Sequence, residues 1–199
     1  MRLSRAHHFL LMLVSVAICS GGAGCSNKQK TTRGKQPGQA AKQKTPPKEI
    51  PVTPAGQLSL AIKYFTGEGK TQNHEKAVKY FKMAADNGSH EAQFALGCMY
   101  QNGQGVTQNY LEAAKWYLKS AQAGNANGQY LIGLSLKEGS GVPKDPIESY
   151  KWIYLAAQQG LDKKHIETRN QLALLLTPPV VAEGQRRANQ FIMYQGVGN

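Results

Sequence analysis

Few residues in this chain stand at spacings that could do chemistry. Gly69-Lys70-Thr71 matches the close of a phosphate-binding loop, but Tyr64 occupies the position where that motif needs its first glycine. The pairs Gly103-x-Gly105 and Gly139-x-Gly141 lack the third glycine and the preceding strand of a dinucleotide site. His74, His90 and His165 are isolated, with no partner at metal-ligand spacing. His90-Glu91 lacks the second histidine of a zinc-protease helix. No serine heads a Ser-x-x-Lys or sits in a Gly-x-Ser-x-Gly turn. These residues predict no catalytic centre, no metal and no cofactor.

The three cysteines point elsewhere. Arg2 and Arg5, the apolar run Phe9–Ile18 and the small residues Ser20–Gly24 have the order of an export signal. The run is ten residues long, against about 20 for a membrane-spanning helix. Cys19 would leave with that leader. Cys25 follows Ala23-Gly24, which resembles the lipobox of bacterial lipoproteins, although Gly22 stands where leucine is usual. That resemblance implies a lipid on Cys25, an anchor in the membrane and, from Ser26, an outer-membrane destination. Plain cleavage after Gly24, giving a soluble periplasmic or secreted protein, is the alternative. Beyond the leader only Cys98 remains, so the folded part is expected to stand on packing without a disulfide of its own.

The formal charge of +12 is unevenly spread. Residues 26–50 carry seven bases (Lys28, Lys30, Arg33, Lys35, Lys42, Lys44 and Lys48) against Glu49 alone, a net +6. Residues 51–199 carry 15 bases and 11 acids, a net +4. Almost nothing in 26–50 is large and apolar, so the segment cannot offset its ordering entropy and is expected to be a disordered tether. Attraction to anionic lipid head groups or envelope polymers, or service as a plain spacer, are both open to it. Nucleic acid is not an expected partner of an exported chain.

The elements that position any site come from a repeat. Gly67, Gly103 and Gly139 lie 36 residues apart, as do Gly69, Gly105 and Gly141, and Gly88, Gly124 and Gly160. Large residues keep the step (Tyr80, Trp116, Trp152; Phe81, Tyr117, Ile153), as do Ala85, Ala121 and Ala157. Each unit reads as two helices broken by glycine, with apolar stripes at helical spacing. Thr53, Ser89 and Asn125 stand before the first helix of each unit, and Asn73, Asn109 and Asp145 before the second, as N-caps. Glu112 and Glu148 stand three residues past their caps, at capping-box spacing. Cys98 aligns with Ile62 and Leu134, which reads as a small buried hydrophobe.

The pattern Leu96-Gly97-x-x-Tyr100-x-x-Gly103-x-Gly105-Val106, then Ala113-x-x-Trp116-Tyr117-x-x-Ser120-Ala121-x-x-Gly124, resembles the Sel1-like repeat, a relative of the tetratricopeptide repeats. The expected fold is an all-α solenoid of antiparallel helix pairs: units 53–88, 89–124 and 125–161, then a capping pair over 162–194 and a tail at 195–199. Residues 1–24 are the expected signal and 25–52 the tether. The first unit departs from the pattern at Lys70, and the third at Leu136 and Ser149.

The resemblance implies a non-enzymatic adaptor of the bacterial envelope that binds a protein or peptide on the surface lined by first helices. Positions not fixed by the repeat are the candidates there: Ser59, Lys63, Met99, Gln101, Ser135 and Lys137. Two other readings are a cell-wall linker holding peptidoglycan and a β-lactamase-like or penicillin-binding protein. The relatives of the last kind carry paired cysteines in each repeat, which this chain lacks.

Overall fold

The computed structural model describes residues 53–196, which form eight helices. The first unit is α1 (Pro54–Thr66) and α2 (His74–Asp86). The second is α3 (His90–Asn102) and α4 (Tyr110–Gln122), and the third α5 (Ala126–Glu138) and α6 (Pro146–Gln158). Then come α7 (Lys163–Leu175) and α8 (Pro178–Gly196). The signal, Cys25 and the tether lie outside the described residues, and no helix among those described is long and apolar enough to cross a membrane.

Every expected cap is made. Thr53, Asn73, Ser89, Asn109, Asn125 and Asp145 each accept a backbone N–H from the first turn of their helix, at 2.8–3.2 Å. The capping boxes are not closed, for a reason that sequence spacing hides. The cap N–H groups of Asn73, Asn109 and Asp145 already donate to the carbonyls of Tyr64, Tyr100 and Leu136 in the preceding helix, at 2.8–3.0 Å. Glu112 and Glu148 therefore turn outward, to Lys115 at 2.6 Å and Lys151 at 3.0 Å. The same backbone bond stitches the two helices of a unit together.

The units stack as expected: each second helix packs on its own first helix and on the first helix of the next unit. One core runs through the stack, with Phe81, Tyr117, Trp116 and Trp152 buried in phase. The glycine step between helices is deep. A Cβ on Gly97 would overlap the Tyr117 ring, and one on Gly133 would stand 2.5 Å from Ile153 Cγ1. Ser149, where the repeat pattern has alanine, is fully buried and bonds the Gly133 carbonyl at 2.8 Å, so its hydroxyl is satisfied. Lys70, where the other units have valine, stands at the open end of the stack with its ammonium 5.3 Å from the Tyr64 ring.

Cys98 is fully buried in the core, as its alignment with Ile62 and Leu134 leads one to expect.

The closing helices depart from the repeat. α7 packs on α6 as a fourth first helix would, but α8 also packs on α6 and not along α7. Only Leu176-Thr177 join them, too short to replace the seven-residue glycine loops that turn the other pairs back on themselves. α8 instead crosses the second helices: Phe191 meets Trp152 edge to face, Arg187 bonds Glu148 at 2.8 Å, and Gln195 donates to the Gln122 carbonyl at the end of α4. The helix also runs through Gly196, two residues into the expected tail.

His165 is wedged into the α5–α6–α7 junction, 2% exposed and stacked 4.4 Å from the Tyr130 ring, with Nδ1 unbonded. Burial pulls its pKa below the usual value, against the opposing pull of the Asp162 carboxylate 4.0 Å away. Lys164 acts in the same sense as burial. Above the ordinary histidine pKa both folded and unfolded states hold a neutral ring, and the group contributes no pH dependence. As pH falls through that value the unfolded chain takes up a proton that the folded one refuses, so stability falls. The melting temperature is expected to drop by a few degrees on going from neutral pH to the depressed folded pKa. His165→Phe should flatten that slope; an unchanged slope would count against the account.

Candidate functional site

A cleft of about 270 Å³ opens between the second and third units, where α3, α4 and α5 meet. Its floor is apolar: Ala113, Tyr117, Leu131 and Leu134. Its rim is polar: Gln101, Tyr110, Ser135, Glu138 and Ser140. Each wall is fixed by something already described. Tyr117 is set by the absence of a side chain on Gly97, and its hydroxyl donates to Gln101 Oε1 at 2.7 Å. Burial pushes that phenol far above its ordinary pKa, so it stays protonated and keeps donating. Ser135 Oγ donates to the Leu131 carbonyl at 2.9 Å. Tyr110 Oη accepts from Gln108 at 3.1 Å, which holds the aromatic rim. Glu138 makes no ion pair among the described residues.

Of the six candidates drawn from the sequence, the cleft unites two, Gln101 and Ser135. Lys63 and Lys137 are exposed on α1 and α5, and Ser59 is half-buried on α1; none lines the cleft. Met99 is a correction. It is 0% exposed and belongs to the core, because α3 is packed on both sides and has little face left for solvent. Sequence reasoning missed Tyr110 and Glu138. Tyr110 opens a second helix, whereas the six candidates all stand on first helices. Glu138 aligns with Thr66 and Asn102, so the repeat itself marks it as a variable position.

The arrangement holds no nucleophile with a base beside it, and no group of three or more His, Cys, Asp or Glu among the described residues could hold a metal. It can bind: a shaped apolar floor buries side chains, and the rim offers acceptors and donors to an extended backbone.

The family model of the Sel1 repeat matches residues 54–89, 90–125 and 126–161. The chain belongs to the Sel1 repeat family. The matched borders fall within one residue of the units inferred from sequence. Among solved structures, the crystal structure of a Sel1 repeat protein from Oxalobacter formigenes is similar at 34% identity and a TM-score of 0.56. That alignment covers 59% of this chain and 88% of that one. A protective antigen present in uropathogenic Escherichia coli strains, displaying an SLR fold, is similar at 26% identity and a TM-score of 0.59. There the alignment covers 70% of this chain but only 38% of the other. Among curated proteins nothing matches this chain. Sel1 repeats generally mediate binding to other proteins and are generally non-catalytic, which agrees with a cleft built for contact.

Proposed function

We propose that this Sel1 repeat chain is a scaffold of the bacterial cell envelope that holds an extended segment of a partner protein in the cleft between its second and third units. The observation that supports this is the cleft itself: an apolar floor with a polar rim, set on helices whose side chains are fixed by packing. The leader, the lipobox-like Ala23-Gly24-Cys25 and the basic tether support export, lipid attachment at Cys25 and an outer-membrane position facing the periplasm or the cell surface. In that arrangement the tether, with a root-mean-square reach of about 25–30 Å, carries the solenoid clear of the bilayer to meet its partner.

A photoreactive residue placed at Gln101 or Ser135 in the full chain, in its native cells, is expected to capture one discrete protein. The same residue at Lys82, exposed on α2 away from the cleft, should not. Leu134→Asp puts a charge in the floor and is expected to cut capture at least tenfold. Equal capture from Lys82, or capture indifferent to Leu134→Asp, would overturn the assignment. Incorporation of an alkyne fatty acid that disappears in Cys25→Ala is the separate check on the anchor.

A further inference from the structure

The cleft is open because two large side chains present at the neighbouring junction are absent from it. The 36-residue step sets the junction of the first and second units beside that of the second and third, position by position. Phe65 and Met99 stand in the first junction where the cleft has Gln101 and Ser135. Phe65 is 6% exposed and Met99 0%, and both are packed into the core with Ala77, Phe81 and Cys98. The counterparts of those three, Ala113, Tyr117 and Leu134, line the cleft instead. Nothing crosses the space that Phe65 and Met99 occupy. Ser135 turns its hydroxyl back to the Leu131 carbonyl at 2.9 Å, and Gln101 is held by the Tyr117 hydroxyl at 2.7 Å. Leu131 and Leu134 are larger than Ala95 and Cys98 of the first junction but do not close the gap: both are half-buried, and about 270 Å³ stays open.

The rim adds a charge. Glu138 is the only charged residue lining the cleft, where the first junction has the neutral Asn102. Its carboxylate is exposed and makes no ion pair among the described residues. Lys137 and Lys144, its neighbours in the chain, do not line the cleft. Glu112, at the start of α4, is already paired with Lys115 at 2.6 Å.

We infer, resting on the binding role proposed above, that the partner segment seats one large apolar side chain of the methionine or phenylalanine class in this gap and sets a lysine or arginine against Glu138. The apolar side chain completes the layer that Phe65 and Met99 complete in the first junction, and its burial supplies most of the affinity. The basic residue selects and orients the segment, because an exposed ion pair adds little affinity of its own. An acidic residue in its place would meet the Glu138 carboxylate and be rejected. The solenoid thus borrows from its partner a side chain that its own repeat supplies one unit earlier.

The probe is a phage-displayed library of random heptapeptides, panned on the full chain and its variants. Enriched peptides are expected to carry a large apolar residue with an adjacent Lys or Arg. Ser135→Met puts back the side chain that Met99 supplies one unit earlier, and should lower retention of those peptides about tenfold or more. The same variant should melt about 2–4 °C higher, because it fills a gap in the stack. Lys82→Met, the same side chain placed on α2 away from the cleft, should leave retention unchanged. Glu138→Lys, an exposed position where folding is not at stake, should keep the apolar residue and reverse the selected charge to Asp or Glu. Retention indifferent to Ser135→Met, a charge preference indifferent to Glu138→Lys, or no enrichment at all would overturn the proposal. So would self-association of the full chain that Ser135→Met abolishes, which would make the occupant a second copy. Capture in cells from Gln101 is read separately: where it succeeds and the library fails, the cleft binds a partner and only its selectivity is misassigned.

Discussion

Gly141→Ala is expected to cost about 2–5 kcal/mol and to loosen the third unit from the second, whereas Gly69→Ala should cost only about 1–2 kcal/mol. Both glycines hold a left-handed backbone, at φ +73° and +67°, so both substitutions meet the same conformational penalty. Their surroundings differ. A Cβ on Gly141 would overlap the carbonyl of Tyr110 and come within 2.6 Å of Leu111 N, both of them backbone at the start of α4 and unable to swing aside. One on Gly69 meets nothing within 4 Å, because among the described residues no unit packs against the first from that side. The difference between the two variants, read by urea denaturation, therefore isolates the stacking of neighbouring units. Equal costs would mean that the loop and the preceding helix do not touch as described. Gly105, whose Cβ would lie 2.5 Å from the His74 carbonyl oxygen, should behave as Gly141 does.

Gly97→Ala is the second large effect and reaches the cleft. The added methyl would overlap the Tyr117 ring. Overpacking of this kind costs about 1–3 kcal/mol. Moving the ring away to relieve it would break the 2.7 Å bond to Gln101 and leave a buried hydroxyl without a partner, about 1–3 kcal/mol more. The gain in helix propensity from glycine to alanine, ~1 kcal/mol, offsets only part of this. The net loss should be about 1–5 kcal/mol, with capture at Gln101 weakened in parallel because Tyr117 floors the cleft. Removing the ring first should shrink the penalty, so Gly97→Ala measured in a Tyr117→Leu background is expected to be close to neutral. The first unit already lives with alanine at this step, Ala61 beside Phe81, a ring without a hydroxyl to satisfy. Additive costs in the double variant would sink the argument.

Much of the fold was legible in the sequence because its determinants are local. A cap needs a short polar side chain followed by free N–H groups, and Asn73, Asn109 and Asp145 announce that without reference to anything distant. A helix end needs a residue at ease with positive φ, and Gly67, Gly103 and Gly139 supply it. The 36-residue step multiplied each local signal by three, which fixed the units and placed Phe81, Tyr117 and Ile153 in the core.

What the sequence could not decide was how far one helix approaches another and which way the last one turns. Gly105 and Gly141 read as helix breakers, yet their larger duty is to let one unit's loop lie against the backbone of the unit before. Gln57, Gln93 and Gln129 recur at the same step, but only the stack shows Gln57 and Gln129 bonded to side chains at the ends of second helices and Gln93 to the Ala85 carbonyl. Met99 looked variable and lies in the core, because α3 is packed on both sides. α8 looked like half of a closing pair and instead crosses α6, because a two-residue link cannot make the turn while Trp152, Glu148 and the Gln122 carbonyl offer it partners elsewhere. Periodicity and caps are written within a few residues of one another; clefts and edges depend on distances between residues 30 or more positions apart, which only the packed chain sets.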